Sequence, residues 1–349
     1  MNTRSVAVGG AAVGAGLIAA GAAITGTFLG SIVREALKAP DPIEDEPDPL
    51  LATPAQGPEH IEVLAGDGTP INVVAYGPPD GDLMVLVHGW TCNTKYWYPQ
   101  INAFSDRFRV IAYDQRGHGE SPRGKTKLNT DLLGQDLQSV LTAVVPAGRK
   151  ALIAGHSMGG MTILSWAQQF PETVPEVARA VILTSTCSNH LLPNLGLIPL
   201  DLPKALSPME YLTGRLVAGA TIHLPRTQMS RKVTQYIALN TTSRKSHVDF
   251  CDDMVASCPG RSRGKWGNAM VDLNVSDGLD ALVVPTVVVV GCDDKLTPPV
   301  HSEQMAKVLQ SHGHLEELVM WPGIGHMSSI ENSDGYNKLI TDLLQRTAG

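Results

Sequence analysis

The stretch ALIAGHSMGG, residues 151–160, places a serine between glycines directly after an apolar run. The run is typical of a buried strand, and the apolar residues that follow the stretch are typical of a helix. Residues 155–159 match G-x-S-x-G, the pattern of a sharp strand-to-helix turn that exposes a nucleophile. Ser157 is therefore the candidate nucleophile, and the N–H group of Met158 should face the same space.

Three other interpretations of this stretch fit less well. A phosphate-binding loop of the form G-x-x-x-x-G-K-[ST] needs a lysine, and none follows the glycines here. A dinucleotide-binding turn would lie near the start of a strand–helix–strand unit and would need a second glycine pattern. A serine that only capped a helix would not need the paired glycines.

The composition is that of an ordinary globular protein, with 43% hydrophobic and 17% charged residues in 349, enough for one large domain or two modest ones. A net charge of −7 argues against a nucleic-acid partner, which usually requires a basic surface. The five cysteines are odd in number and scattered, so no disulfide framework is predicted, and they contain no C-x-x-C pair that would indicate a zinc site. Cys251 and Cys258 are close enough in sequence to pair in an oxidising compartment, and the sequence leaves their state open.

The N-terminal segment is unusual because residues 5–33 contain no charged residue. About 20 apolar residues can cross a bilayer, so residues 1–37 are predicted to contain an uncleaved membrane anchor. A secretory signal peptide is the alternative, although its apolar core would be shorter, about 7–15 residues. Residues 38–58 are rich in proline and acid, which predicts an extended, solvated linker.

From Glu59 onward, short β-rich runs alternate with helical patterns, which predicts a mostly parallel sheet with helices on both faces. The predicted strands are His60–Leu64, Ile71–Tyr76, Leu83–His88, Arg109–Tyr113, Ala151–Ala154, Ala180–Thr184, Thr286–Val290 and Leu315–Trp321. The predicted helices between and after them are Tyr96–Ser105, Thr130–Val145, Gly159–Gln169, Val300–Leu309 and Ser329–Gln345. Only AGDGTP separates the first two strands, so they should form an antiparallel hairpin at one edge.

The interval between Thr184 and Thr286 interrupts this alternation, because it contains no strong strand pattern. Its helical patterns cover Met209–Ala220, Arg231–Asn240, His247–Ser257 and Gly267–Val275. So long an interval is not a plain loop. It predicts a helical cap over residues 187–275, inserted into a core formed by residues 59–186 and 276–349.

Candidate partners for Ser157 follow the last two strands. A serine hydroxyl needs a base, and His326 follows the final strand in WPGIGHMSS, at the sheet edge where the serine is expected. His156 is adjacent to the serine, but so sharp a turn should point its ring away. A catalytic histidine needs a carboxylate, and Asp293 and Asp294 both follow the seventh strand in VVVVGCDDK.

An oxyanion formed at Ser157 would need two preorganised N–H donors. One is the N–H of Met158. The other is predicted to be the N–H of Trp90, in the loop VHGWTCN after the third strand, where Gly89 allows a close turn.

These features together resemble the α/β-hydrolase superfamily over about residues 59–349. The motifs that carry the resemblance are HGW (88–90), YDQRGHGES (113–121), GHSMGG (155–160), GCDDKLTPP (291–299) and GIGHM (323–327). The resemblance implies an eight-stranded α/β-hydrolase fold with an inserted cap. The usual acid pattern of the family, G-x-x-D-x-x-T/V-P, selects Asp294 over Asp293. It also implies that Asp114, Arg116 and His118 are scaffold residues.

The resemblance implies a serine hydrolase that cleaves carboxylic esters through a Ser157–His326–Asp294 triad and an acyl-enzyme. Serine at the nucleophile position disfavours epoxide hydrolases and haloalkane dehalogenases, which carry aspartate there. The apolar segment and the cap suggest a lipophilic ester. A thioesterase or acyltransferase, a cofactor-free haloperoxidase-like enzyme and a non-catalytic hydrolase-like binding protein are the alternatives. No cofactor and no metal are predicted, and the sequence does not indicate the oligomeric state.

Overall fold

A computed structural model describes residues 26, 29–191, 219 and 226–347 of the protein. Its centre is an eight-stranded sheet in the order β1-β2-β4-β3-β5-β6-β7-β8. The strands are β1 (Glu59–Leu64), β2 (Pro70–Tyr76), β3 (Asp82–Val87), β4 (Phe108–Tyr113), β5 (Ala151–His156), β6 (Ala178–Thr184), β7 (Thr286–Gly291) and β8 (Leu315–Trp321). Strand β2 pairs antiparallel with β1 and with β4, and every other neighbouring pair is parallel. The predicted α/β fold, with its edge hairpin, is confirmed.

Helices cover both faces of the sheet. The described ones are α1 (residues 29–38), α2 (Tyr98–Phe104), α3 (Thr130–Val144), α4 (Met158–Gln169), α5 (Val174–Val177), α6 (Gln228–Ala238), α7 (Lys245–Ser257), α8 (Gly260–Met270), α9 (Asp277–Ala281), α10 (Pro299–Ser311), α11 (Ser328–Glu331) and α12 (Ser333–Arg346). Alternate residues of β3 divide between two cores: Val85 and Val87 pack with α3 and α4, whereas Met84 and Leu86 pack with α2 and α12. Burial on both faces explains why the strand is a continuous apolar run.

We call helices α6, α7 and α8 the cap, because they contact loops at the carboxyl edge of the sheet. The indole Nε1 of Trp266 on α8 donates to the carbonyl oxygen of Arg116 at 2.7 Å, in the loop after β4. The predicted helix Met209–Ala220 and most of the interval before α6 lie outside the described residues, so the cap boundaries at 187–275 stay a prediction. Cys251 and Cys258, whose state the sequence left open, are buried free thiols.

The membrane anchor predicted over residues 5–33 is wrong for the part of the chain that the structure describes. Among the described residues no helix has the length and apolar character needed to cross a bilayer. Helix α1 instead packs Ile32 and Ala36 against Tyr236 of the cap. Residues four apart share one helix face, so an apolar pattern that suits lipid also suits burial against protein. Residues 1–25, 27 and 28 lie outside the described residues.

The acidic segment, which we define as residues 39–52, continues from α1 along the cap. Its backbone exchanges two hydrogen bonds with the start of α7: Ile43 N–H donates to Ser243 O at 3.0 Å, and Lys245 N–H donates to Ile43 O at 2.8 Å. Arg244 adds ion pairs to Asp45 at 2.8 Å and to Asp48 at 3.1 Å. The segment therefore joins the cap through both backbone and charge.

Arg116 is a buried structural ion-pair centre, in line with its expected scaffold role. Its fully buried guanidinium lies 2.8 Å from a carboxylate oxygen of Asp67 and 2.7 Å from one of Asp136. Its Nη1 also donates to Thr69 Oγ1 at 2.9 Å. The group ties the β1–β2 turn and helix α3 to the loop after β4.

We expect Arg116→Met to lower the free energy of unfolding by about 3–5 kcal/mol, because it leaves the buried Asp136 carboxylate without its cation. Urea unfolding at constant pH measures the loss. Arg346→Met is the matched control, since its ion pairs with Glu316 and Glu317 are exposed and should contribute less than about 1 kcal/mol. Equal losses of unfolding free energy in the two variants would show that the buried ion pairs stabilise the fold no more than the exposed ones.

Candidate active site

Ser157 occupies the turn between β5 and α4 with φ 53° and ψ −117°, a backbone conformation that residues other than glycine rarely adopt. The turn is held by its backbone, since Ser157 N–H donates to Thr184 O at 2.9 Å and Ser157 O accepts from Thr186 Oγ1 at 2.7 Å. A Cβ on Gly159 would lie 2.0 Å from the carbonyl oxygen of Val87. Glycine is therefore required where α4 passes over β3, and the strain at the serine is imposed by its surroundings.

His326 and Asp294 are joined directly. The Nδ1 atom of His326 lies 2.9 Å from Asp294 Oδ2 and 3.0 Å from Oδ1, and both side chains are buried. The carboxylate also accepts the N–H groups of Leu296 and Thr297, each at 2.9 Å, and the Thr297 hydroxyl at 2.8 Å. Because a carboxylate only accepts, we assign the histidine proton to Nδ1, which leaves Nε2 free to accept a proton.

Asp293, the alternative acid, points elsewhere. Its Oδ2 accepts from Asn240 Nδ2 at 2.5 Å, and its N–H donates to Ile324 O at 2.9 Å. The structure thus gives the contact with His326 to Asp294, the residue that the family pattern selected.

The ring of His156 lies against the ring of His326, a contact that the sequence analysis did not predict. The two ring centroids are 4.8 Å apart, and His156 also stacks on Tyr96 at 4.3 Å. Its Nε2 is 3.0 Å from the carbonyl oxygen of His326. Burial holds the pKa of His156 well below its usual value, so the ring is neutral and donates this hydrogen bond from Nε2. The neighbour of the serine therefore supports the histidine turn.

The predicted oxyanion donors belong to two segments: Trp90 to the loop after β3, and Met158 to the first turn of α4. Among the described residues, neither the N–H of Trp90 nor that of Met158 has a hydrogen-bond acceptor. A Cβ on Gly89 would lie 3.1 Å from the Cβ of Ser157, so the loop that carries Trp90 rests directly on the turn. The Trp90 side chain is used separately, since its Nε1 donates to Arg263 O of the cap at 3.0 Å.

Gln115 links these two donor segments, and no sequence argument singled it out. Its N–H donates to His88 Nε2 at 2.9 Å, and its side-chain amide donates to His88 O at 2.5 Å. Its Oε1 accepts from the hydroxyl of Thr162, one turn after Met158, at 2.7 Å. Burial lowers the pKa of His88 to about 4, which keeps Nε2 unprotonated and able to accept. Only the position of Gln115 in YDQRGHGES, after a strand at the correct edge, could have indicated it.

The structure does not join all three predicted triad residues by hydrogen bonds. The His326 ring binds Asp294 and approaches Thr297, and it forms no hydrogen bond with the Ser157 hydroxyl. Such catalytic hydrogen bonds are often long until substrate binds. Across the described part of the chain, no three His, Cys, Asp or Glu side chains are grouped so as to hold a metal ion.

The fold and this site define a hydrolase of the α/β class, and comparison with known proteins agrees: the chain belongs to the alpha/beta hydrolase fold family, whose model matches residues 82–333. A non-heme chloroperoxidase from Burkholderia pyrrocinia is 26% identical over 281 residues, which are 79% of this chain and 96% of the relative. The 3-oxoadipate enol-lactonase 2 of Acinetobacter baylyi is 23% identical over 297 residues, 82% of this chain and 97% of the relative. A solved thermophilic esterase from Thermogutta terrifontis has a TM-score of 0.64 at 21% identity, covering 83% of this chain and 100% of its own, which is a likeness of fold.

Proposed function

We propose that the protein is a serine hydrolase that cleaves carboxylic esters, with Ser157 as nucleophile, His326 as general base and Asp294 as the acid that orients the histidine. The observation that supports this most is the buried hydrogen bond of 2.9 Å between His326 Nδ1 and Asp294 Oδ2. It lies at the same sheet edge as the strained serine turn, and His156 connects the two. The carboxylate holds the histidine proton on Nδ1, so Nε2 is the nitrogen that can take the proton of the serine.

In the first half of the reaction, Ser157 Oγ attacks the ester carbonyl carbon while His326 Nε2 takes the hydroxyl proton. The carbonyl oxygen becomes an oxyanion, and the N–H groups of Trp90 and Met158 stabilise it. When the carbonyl re-forms, the bond to the alcohol oxygen breaks and His326 returns its proton to that oxygen. The alcohol leaves, and the acyl group remains on Ser157.

In the second half, water attacks the acyl carbon and gives a proton to His326. The bond to Ser157 Oγ then breaks, the proton returns to the serine, and the carboxylic acid leaves. Asp294 stays ionised throughout and stabilises the histidinium that forms in each half. The four hydrogen-bond partners of its carboxylate hold it in place for this role.

A second candidate activity is cofactor-free perhydrolysis, which the likeness to a non-heme chloroperoxidase favours. Here hydrogen peroxide replaces water as the attacker of the acyl-enzyme, and a peroxy acid leaves instead of the acid. A thioesterase or acyltransferase would use the same residues with another leaving group or acceptor. A lipophilic substrate now has the support of the cap alone, since no membrane-spanning helix is found among the described residues.

The test is a rate profile over p-nitrophenyl esters from acetate to laurate, together with labelling by a fluorophosphonate. We expect turnover of the acetate and butyrate esters, because a small acyl group needs only the serine, the histidine and the oxyanion donors. We also expect one fluorophosphonate per chain, on Ser157. A protein that is not labelled and turns over neither esters nor thioesters would be a binding protein, and the proposal would be wrong. Added hydrogen peroxide or an added thiol acceptor distinguishes perhydrolysis and acyl transfer from hydrolysis.

A further inference from the structure

Glu331 lies at the junction between the cap and the turn that carries His326. It ends helix α11, and its two carboxylate oxygens have different partners. Oε1 accepts the N–H of Gly325 at 3.0 Å, on the histidine side. Oε2 accepts the N–H of Asn240 at 2.7 Å and the hydroxyl of Ser243 at 2.8 Å, both on the cap side. One rigid planar group therefore holds both sides of the junction.

The two sides are packed without space between them. His326 N–H donates to the carbonyl oxygen of Ala238, the last residue of α6, at 3.0 Å. A Cβ on Gly325 would lie 2.5 Å from the backbone carbonyl carbon of Leu239. Residues 238–243 therefore rest directly on the backbone of the histidine turn, and a shift of one side must displace the other.

Burial of the Glu331 side chain at this junction destabilises its charged form. Burial raises the pKa of Glu331 to about 7, so the environment disfavours the charge. Three donors nevertheless face the carboxylate, and an uncharged amide of the same shape has only one oxygen with which to accept them. The arrangement suits a carboxylate and leaves at least one donor unpaired with any neutral replacement.

We propose that Glu331 is a positioning residue that couples the placement of the cap to the placement of the His326 ring. This inference rests on the proposed function, in which His326 is the base. Gly325 precedes the histidine directly, so its N–H bond to Glu331 sets the backbone from which the ring projects. The cap then affects the chemical step as well as any contact it makes with substrate.

Glu331→Gln tests the coupling with nearly the same side-chain volume. We expect kcat for p-nitrophenyl acetate to fall about 10- to 100-fold, because an unpaired backbone donor shifts the histidine turn and small misplacements of a catalytic group have effects of this size. KM for this small ester should change less than threefold, roughly, since its binding needs little of the cap. Glu303→Gln is the matched control, because that exposed residue of α10 lies outside the site, and it should keep wild-type kcat.

Proton NMR of the His326 Nδ1–H distinguishes a positioning role of Glu331 from a role in folding alone. The hydrogen bond of this proton to Asp294 gives a downfield resonance. We expect Glu331→Gln to shift or broaden this resonance at temperatures where the variant is folded, and Glu303→Gln to leave it unchanged. A variant with a lower melting temperature but with the wild-type resonance and the wild-type kcat would overturn the proposal.

If Glu331→Gln folds poorly, Glu331→Asp is measured in its place, because it keeps the charge but is shorter by one methylene. A kcat at least about fivefold below wild type in a folded Glu331→Asp supports the coupling, and a wild-type kcat overturns it. The proposed function fails separately, if the wild-type protein neither turns over esters nor reacts with the fluorophosphonate. In that case the NMR comparison still decides whether Glu331 positions the His326 ring.

Discussion

Ser157→Ala is expected to lower kcat for ester hydrolysis by about 10⁴- to 10⁶-fold, the range found when the nucleophile of a serine hydrolase is removed. The fold should be retained, because the turn is held by the backbone N–H and carbonyl of Ser157 and not by its hydroxyl. Alanine keeps the same Cβ, so the strain at φ 53° does not change. Steady-state kinetics with p-nitrophenyl acetate, with circular dichroism as the check on folding, measure the effect.

The matched control for this variant is Ser185→Ala. Ser185 also has a positive φ, 45°, and it follows β6, the neighbour of β5 in the sheet. Its hydroxyl pairs with that of Ser328 at 3.0 Å, so its loss removes an ordinary buried hydrogen bond. We expect its kcat to stay within roughly fivefold of wild type. A Ser157→Ala protein that still reacted with the fluorophosphonate would place the nucleophile elsewhere.

Asp294→Asn is expected to lower kcat about 10⁴-fold, the loss known for the corresponding change in the triad of a serine protease. The N–H groups of Leu296 and Thr297 both donate to Oδ1, so the asparagine must keep its oxygen there. Its amide NH₂ then occupies the Oδ2 position, 2.9 Å from His326 Nδ1. This NH₂ donor faces Nδ1 at the shorter of the two distances, and the remaining neutral oxygen, 3.0 Å away, is a weaker acceptor than a carboxylate. We therefore expect the histidine proton to move to Nε2, where it blocks the base.

Asp293→Asn provides the control for this change, because it is the same substitution one residue earlier. Asp293 faces Asn240 and not His326, so we expect less than roughly a tenfold loss in kcat. Comparison of kcat in the two variants at one pH, with melting temperatures for both, measures the difference. If the larger loss fell on Asp293→Asn, the acid would be assigned wrongly.

Central strands such as β3, β5 and β7 could be predicted closely from the sequence because burial on both faces requires a continuous apolar run. The order of the strands in the sheet could not be predicted, since the sequence of an apolar strand does not indicate which strands pair with it. Helix α8 was expected at Gly267–Val275 but begins at Gly260. Glycines lower helix propensity, and here the burial of Trp266 outweighs them.

The predicted helix Ser329–Gln345 is two helices in the structure, divided at Asn332, where φ is −130° and ψ is 56°. The helical pattern continues through this point, so periodicity alone could not reveal the break. The break matters for the site, because it lets the short α11 present Glu331 to Gly325 and to the cap.

The candidate catalytic residues Ser157, Asp294 and His326 could be proposed from the sequence because each follows a strand in a recognisable turn. Glu331 could not be proposed, and Gln115 had only its position after a strand, because the partners of both residues include segments far away in the chain that only the fold brings near. The ring contact between His156 and His326 is a tertiary contact and could not be predicted from the sequence either.

The acidic segment has a practical consequence for anyone who shortens this chain. A version that begins at the first strand, Glu59, would remove the carboxylates that face Arg244 and the apolar side chains of α1 that cover Tyr236. Arg244 would lose both of its carboxylate partners, and more of the Tyr236 side chain would be exposed to solvent. A change of substrate preference in such a truncated protein would therefore reflect the altered cap, and a version that keeps residues 29–58 should avoid it.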